Sequence, residues 1–222
     1  MNLYKKDFSD ELIEIYQMGL FPMADNVDDD EIYIISPENR GILSIEELHI
    51  PRSLLKKVKK YPYKVTINKD FEQVIKSCAE IREDRKESWI NDIIIRSFIS
   101  LHKKGHAHSI EVWDKDNNLI GGLYGLAIGA VFCGESMFSR ASDASKIALI
   151  HLCARLWKAE FNLLDCQFTN DHLVQFGCFE ISASEYKNKL EKLKNKEVDF
   201  LLSGIADNEQ DLLLEYLANR AK

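Results

Sequence analysis

The segment 121–139, GGLYGLAIGAVFCGESMFS, constrains the fold of this chain more than any other part of the sequence. It is a near-continuous apolar run rich in glycine, and its one carboxylate, Glu135, is flanked by Phe132, Met137 and Phe138. Soluble proteins usually keep an ionised carboxylate out of such apolar surroundings. The run therefore suggests a pocket that accepts a cationic group beside an apolar one.

The chain downstream of His108 predicts a sheet with one crossing helix. Apolar patterns predict strands over 109–113, 119–127, 130–133 and 162–167, and a polar turn over 114–118 joins the first two into a hairpin. Ser142-Asp143 are predicted to cap a helix over 144–161. This order of elements resembles the core of an acyltransferase module whose sheet splays open for an acyl donor, although a fold alone does not fix a function.

The remaining sequence predicts a smaller lobe and a tail. Helices are predicted over 8–18, 53–60, 71–81 and 89–103, and strands over 32–35 and 63–67. An amphipathic helix over 208–220 is expected to be an appended cap or a partner contact. The expected class is α+β, with a small N-terminal α/β lobe over 1–60, an acyltransferase-like (GNAT-type) domain with a mixed, mainly antiparallel sheet over 61–190, and a helical tail over 191–222.

Composition excludes several classes of protein. With 222 residues and a net charge of −7, the chain does not have the overall positive charge of a protein that coats nucleic acid. Its five cysteines form no CxxC pair, and His106 and His108 have no third ligand nearby in sequence, so neither a disulfide framework nor a metal site is expected. No cofactor is expected either. The acidic N-terminus and the short apolar runs predict a cytoplasmic protein without a membrane segment.

A series of short motifs, in a fixed order, resembles one known family. The motifs are GLFPM at 19–23, SP at 36–37 followed by RG at 40–41, WI at 89–90, GHAHSIEVW at 105–113, GGLYG at 121–125, GESMFS at 134–139, ASK at 144–146 and DCQ at 165–167. Together they resemble the leucyl/phenylalanyl-tRNA protein transferases. The resemblance implies a bacterial, cytoplasmic aminoacyltransferase that needs no cofactor. Its partners would be Leu-tRNA, Phe-tRNA and proteins that begin with Arg or Lys, which the transfer marks for N-end-rule degradation.

The resemblance also implies roles for individual residues. Asp165 and Gln167 would be the catalytic pair, and because they lie two apart on a predicted strand, their side chains are expected on one face. Gln167 would orient the incoming amine, while Asp165 would either attract the cationic N-terminal residue or fix Gln167. Cys166 would point away, so no thioester is expected. Outside this context, a turn-capping Asp and a surface Gln would be the simpler interpretation of the pair.

Glu135 would hold the α-ammonium of the donor amino acid, with Phe132, Met137 and Trp89 around its apolar side chain. The adaptable thioether of a methionine suits both Leu and Phe. The alternative is that Phe132 and Met137 are core residues.

The predicted contacts with tRNA are basic. Lys56, Lys57, Lys59 and Lys60, together with the pair Lys103-Lys104, are expected to bind phosphates, although a solvated helix face explains such runs equally well. The chain departs from the family at Ile34-Ile35, where many members have two tryptophans, so an aromatic platform for the terminal adenosine is missing there.

Two other functions fit the same fold. A coenzyme A-dependent N-acetyltransferase would need a glycine-rich pyrophosphate loop, and the segment 139–145 before the predicted helix contains no glycine. An inactive tRNA-binding or peptide-binding module would not need the Asp165 and Gln167 pair.

Overall fold

The computed structural model describes residues 8–60, 63–82, 86–203 and 208–220. The helices are α1 (Ser9–Gln17), α2 (Arg52–Lys60), α3 (Phe71–Ala79), α4 (Asp92–Lys103), α5 (Ala144–Lys158), α6 (Asp171–Val174), α7 (Ala183–Leu193) and α8 (Glu209–Asn219). The strands are β1 (Phe21–Met23), β2 (Tyr33–Ile35), β3 (Asn39–Leu43), β4 (Lys64–Ile67), β5 (Ala107–Trp113), β6 (Leu119–Ile128), β7 (Val131–Ser139), β8 (Leu163–Gln167) and β9 (Phe179–Ser182).

Seven strands form the main sheet in the order β4-β5-β6-β7-β8-β3-β9, and β1 pairs with β2 in a separate hairpin. Every neighbouring pair in the main sheet is antiparallel except β7 and β8, which are parallel. Apolar side chains of α2, α5 and α8 cover one face, and those of α1, α3, α4 and α7 cover the other. The predicted α+β class, with a mixed and mainly antiparallel sheet, is confirmed.

The parallel pair opens the sheet at its centre. β7 and β8 are paired only over Val131–Cys133 and Leu163–Asp165, whereas β7 continues to Ser139 with β6 as its partner. The two strands therefore diverge from Gly134 onward. This opening is the splay that the order of elements predicted, and it places the second half of β7 along the edge of a cavity.

Glycines in β6 allow two close approaches that other residues would block. A Cβ at Gly121 would collide with Ala144 at the start of α5, and one at Gly125 would collide with the ring of Phe132. The glycine-rich sequence of this strand is therefore explained by packing beneath α5 and across β7.

Several predicted elements differ from the observed ones. The third strand was predicted to stop at Cys133 but runs to Ser139, and no strand or helix was predicted where β9 and α7 lie. Asp143 occupies the N-cap of α5 in a left-handed conformation and makes no capping bond with its side chain; the amide of Ser145 donates instead to Oγ of Ser139, at 3.0 Å.

The predicted domain limits stay a prediction, because the structure offers no separate test of them. β3 nevertheless lies within the main sheet and α2 packs in the same core as α5, although both precede residue 61. The C-terminal α8 also packs on α5, where Tyr216 donates to the carbonyl of Ile45 at 2.6 Å and Arg155 pairs with Glu209. None of the helices in the described ranges has the length and apolar character needed to cross a bilayer.

Candidate active site

A cavity of about 530 Å³ lies where β7 leaves β8. One wall is apolar and consists of core residues of β6, β7, β8, α5 and α6. Its side chains are Leu123, Met137, Leu149, Leu152, Leu164 and Leu173. Trp89, Tyr124 and Phe138 line it from the opposite face of the sheet. A wall of leucine and methionine side chains can accept an aliphatic or aromatic side chain of a ligand.

Glu135 lines the cavity at an irregularity of β7. Tyr124 pairs with Ser136 and the next residue, Gly125, pairs with Gly134, so Glu135 has no partner across β6. Such a bulge redirects a side chain, and bulges are common beside functional sites. Here it presents the carboxylate to Gln167, whose Nε2 donates to Oε1 of Glu135 at 3.0 Å.

The surroundings of Glu135 favour its protonated form. Burial raises the pKa of this carboxyl to about 8, and the neighbouring Asp165 acts in the same direction, while the adjacent Tyr16 hydroxyl, Arg40 and Gln167 oppose them. The hydroxyl of Tyr16 is itself buried beside this carboxyl, and its own pKa is raised well above the usual value, first by burial and then by Glu135. Glu135 can therefore gain or lose a proton near neutral pH, or become ionised when a cation enters.

Asp165 lies beneath the cavity and is fully buried. Its Oδ1 accepts from Nε of Arg40 at 2.8 Å and from the amide of Gln167 at 2.9 Å, and its Oδ2 accepts from Nη2 of Arg40 at 2.7 Å and from the hydroxyl of Tyr186 at 2.8 Å. These four bonds occupy the acceptor positions of a carboxylate. The arrangement favours the role of fixing Gln167 over that of attracting a substrate cation.

Gln167 ends β8 in a left-handed conformation, with φ of 56°. The register with β3 also shifts here, since Gly41 pairs with Gln167 and Ile42 pairs with Asp165, which leaves Cys166 as an extra residue. The simple alternation of an extended strand therefore does not apply between Asp165 and Gln167. Their relation depends on the bond from the Gln167 amide to the Asp165 carboxylate.

The other residues expected to surround the donor amino acid divide into two groups. Trp89 and Met137 line the cavity. Phe132 is fully buried in the core behind it, with its ring stacked on Phe200 at 5.4 Å and edge-on to Phe161 at 6.3 Å. Phe132 therefore does not line the cavity and is a core residue, which was the alternative interpretation of this position.

The basic residues proposed to contact tRNA are also not equivalent. Lys56, Lys59 and Lys60, the exposed α2 lysines, point to solvent. Lys57 instead donates to the carbonyl of Ser142 at 2.7 Å and pairs with Asp143 at 3.0 Å, which joins α2 to the start of α5.

The second basic run is divided in the same way. Lys103 and Lys104 are both exposed, and Lys104 also pairs with Asp10 at 2.8 Å and donates to Oγ of Ser9 at 2.6 Å. The ammonium group of Lys104 therefore already has partners on α1.

The histidines and the cysteine near the site have other surroundings. His108 is buried against Phe200, with ring centroids 4.1 Å apart, and burial lowers its pKa to about 3. Cys166 lines the cavity, and its interaction with Cys178, together with burial, raises the pKa of its thiol. Such a thiol stays protonated and is a poor nucleophile. In the described ranges no group of three His, Cys, Asp or Glu side chains could hold a metal ion.

Sequence reasoning missed several of these residues. Arg40 and Tyr186 hold Asp165, Tyr16 lies beside Glu135, and Leu149, Leu152 and Leu164 form the apolar wall. The motif RG at 40–41 had been noted only as part of the resemblance. For Tyr186, the available signal was the apolar pair Tyr186 and Leu190 at helical spacing, which the structure shows to be buried.

Comparisons with known proteins agree on one family. A family model described as Leucyl/phenylalanyl-tRNA protein transferase matches residues 42–191. A leucyl/phenylalanyl-tRNA protein transferase of Maricaulis maris (strain MCS10) is 48% identical over 192 residues, which cover 86% of this chain and 88% of that protein. The protein of that name in Paramagnetospirillum magneticum (strain ATCC 700264 / AMB-1) is 49% identical and covers 82% of this chain and 87% of its own.

Solved structures are more distant. L-PGS from Bacillus licheniformis aligns with a TM-score of 0.42 and 10% identity, over 69% of this chain and 56% of that one. A likeness at this level carries no argument about the site.

Proposed function

Because the chain belongs to the leucyl/phenylalanyl-tRNA protein transferase family, we propose that it moves Leu or Phe from aminoacyl-tRNA to the α-amine of proteins that begin with Arg or Lys. The chain is an aminoacyltransferase. The preference for Arg and Lys, the marking of the product for N-end-rule degradation and the cytoplasmic setting are parts of the proposal. The observation that carries it is the bond between Gln167 and Glu135 beside a cavity with a leucine-rich wall.

The donor amino acid would enter the cavity with its side chain against the apolar wall. Leu149, Leu152 and Leu164 lie on that wall, and Met137 adds an adaptable surface. An ionised Glu135 would pair with the α-ammonium of the donor, which offsets the cost of burying both charges. Discrimination against other apolar amino acids would come from shape, which is worth about 1–3 kcal/mol per methylene.

The reaction itself is aminolysis of an ester. The neutral α-amine of the acceptor attacks the carbonyl carbon, a C–N bond forms, the bond to the ribose oxygen of tRNA breaks, and the proton of the amine passes to that oxygen. With Nε2 of Gln167 engaged by Glu135, the acceptor that Gln167 can offer to the incoming amine is its Oε1. The ester is already activated, so positioning of the two reactants can supply a large share of the rate.

The exposed α2 lysines would contact tRNA phosphates without reading sequence. Lys57 is left out of this surface, because its ammonium group is already paired with Asp143.

The test is a transfer assay with the purified full chain. Radiolabelled Leu-, Phe- and Met-tRNA are each offered with peptides that begin with Arg, Lys or Ala. We expect label on the Arg and Lys peptides from Leu-tRNA and Phe-tRNA. Equal labelling of the Ala peptide would contradict the acceptor preference, acetyl transfer from acetyl-coenzyme A would favour the N-acetyltransferase alternative, and binding of tRNA without any transfer would indicate an inactive module.

A further inference from the structure

The carboxylate of Asp165 bonds to three parts of the chain, and Arg40 connects them to a fourth. Arg40 reaches it from β3, Tyr186 from α7 and the Gln167 amide from the end of its own strand, β8. A further nitrogen of Arg40, Nη1, donates to the carbonyl of Gly19 at 3.0 Å, between α1 and β1. We call Arg40, Asp165, Gln167 and Tyr186 the Asp165 network.

Arg40 is held in more than one way within the Asp165 network. Its guanidinium is buried, with 1% of the side chain exposed, and forms a two-pronged bond with the carboxylate. It also lies over the ring of Tyr186, at 4.4 Å, and over the ring of Phe21, at 4.8 Å. A planar guanidinium can stack and form paired bonds at once, which the ammonium of lysine cannot do.

The last member of the network is Gln167, which needs such support. A left-handed backbone is unfavourable for residues other than glycine, so it persists only where the surroundings hold it. The amide of Gln167 donates to Oδ1 of Asp165, and the side-chain amide then reaches Glu135 at 3.0 Å. The direction of the Gln167 side chain therefore depends on where Arg40 and Tyr186 hold Asp165.

We propose that Arg40 and Tyr186 are positioning residues for aminoacyl transfer, which act through Asp165 to keep Gln167 directed at Glu135. Neither residue lines the cavity. The inference rests on the proposed function, since it assigns the placement of Gln167 in that reaction. Tyr186 is well suited to the role because burial raises the pKa of its hydroxyl, which therefore stays a donor at every working pH.

The test uses Tyr186→Phe, which removes the hydroxyl and keeps the ring over Arg40. Tyr216→Phe is the matched control, because it removes another buried hydroxyl, bonded to the carbonyl of Ile45, from a helix that does not reach the cavity. Tyr186→Phe removes the bond donated to Asp165 and a longer one, at 3.5 Å, accepted from Nη2 of Arg40, while Tyr216→Phe removes the bond to Ile45. Both variants should therefore lose some thermal stability. We expect Tyr186→Phe to lower kcat about tenfold with KM for aminoacyl-tRNA changed less than about twofold, and Tyr216→Phe to leave both unchanged.

A second measurement does not depend on activity. Hydrogen exchange of the segment 163–168, followed by mass spectrometry, should be faster in Tyr186→Phe than in the original protein and unchanged in Tyr216→Phe. Arg40→Lys should accelerate the exchange of this segment further, because a single ammonium group cannot replace the two parallel hydrogen bonds of the guanidinium.

These results separate the inference from the proposed function. If the unsubstituted protein transfers no amino acid, the proposed function is refuted. If the unsubstituted protein transfers amino acid and the kcat of Tyr186→Phe lies within about twofold of the unsubstituted value, only the positioning role is refuted. Unchanged exchange over 163–168 in Tyr186→Phe also refutes the positioning role, whatever the activity.

Discussion

Replacement of Asp165 by Asn should destabilise the protein strongly, because it changes one atom at the centre of the Asp165 network. The Asn oxygen can still accept two bonds, but its NH2 group would face an N–H donor of Arg40 whichever way the amide is turned, and the Gln167 amide as well in one of the two orientations. Arg40 would also keep its charge at 1% exposure without a counter-ion. Removal of one partner of a buried ion pair costs about 3–5 kcal/mol. For a chain of this length, about 2–4 °C of melting temperature is lost per kcal/mol, so we expect a decrease of about 6–20 °C.

The assay is thermal unfolding of the full chain by circular dichroism or calorimetry. Asp171→Asn, an equivalent change at an exposed position in the first turn of α6, is the control and should change the midpoint by less than about 2 °C. Transfer by Asp165→Asn should be measured below its own midpoint, where we expect loss of activity with tRNA binding retained. A midpoint for Asp165→Asn within about 2 °C of the original protein would refute the argument from buried charge.

Three further results are expected. The folded-state pKa of Glu135 is about 8, above its ordinary value of 4.5, so the carboxylate form that can hold a cation increases as pH rises through 8. Transfer should increase over the same pH range. Glu135→Gln should remove this inflection from the pH profile and leave the inflection that comes from titration of the amine substrate. Replacement of the three exposed α2 lysines by Ala should weaken tRNA binding and reduce the salt slope by up to about 2–3, whereas the same change at the exposed lysines of α7, Lys187, Lys189 and Lys192, should not. Glu209→Gln breaks the buried pair with Arg155 and should lower the melting midpoint by about 6 °C or more, with kcat unchanged below it.

The sequence predicts the strands and helices that carry strong local patterns. The hairpin of β5 and β6, the crossing helix α5 and the strand β8 are all present close to their expected positions. These elements are predictable because apolar periodicity and turn residues are local properties that a single sequence displays. Their order resembles that of an acyltransferase module and so predicts the splayed sheet. The resemblance adds Glu135, Asp165 and Gln167, which the structure brings together.

What sequence reasoning missed depends on contacts between distant parts of the chain. Arg40 and Asp165 are 125 residues apart, and nothing in the local sequence NRGIL indicates that its guanidinium is buried. The extra residue at Glu135 likewise depends on the register between β6 and β7. Gly134, which directly follows the predicted strand over 130–133, was the available sign of an irregularity at this point.

Helix α7 was missed for a different reason. Its sequence is dominated by charged residues, so its weak apolar pattern predicted no helix. Ser182 and Glu185 nevertheless have the spacing of a capping box, and the amide of Glu185 donates to Oγ of Ser182 at 3.2 Å. This spacing is the local sequence signal for the start of α7, and Tyr186 lies in the first turns of that helix.

The packing of α8 on α5 has a consequence for the shape of the cavity. Helix α5 supplies Leu149 and Leu152 to the cavity, and its rear surface is covered by Leu213 and Tyr216. Protein interiors are close-packed, so a void left behind α5 would be transmitted to its opposite side. The shape of the leucine-rich wall therefore depends on a helix that contributes no side chain to the cavity.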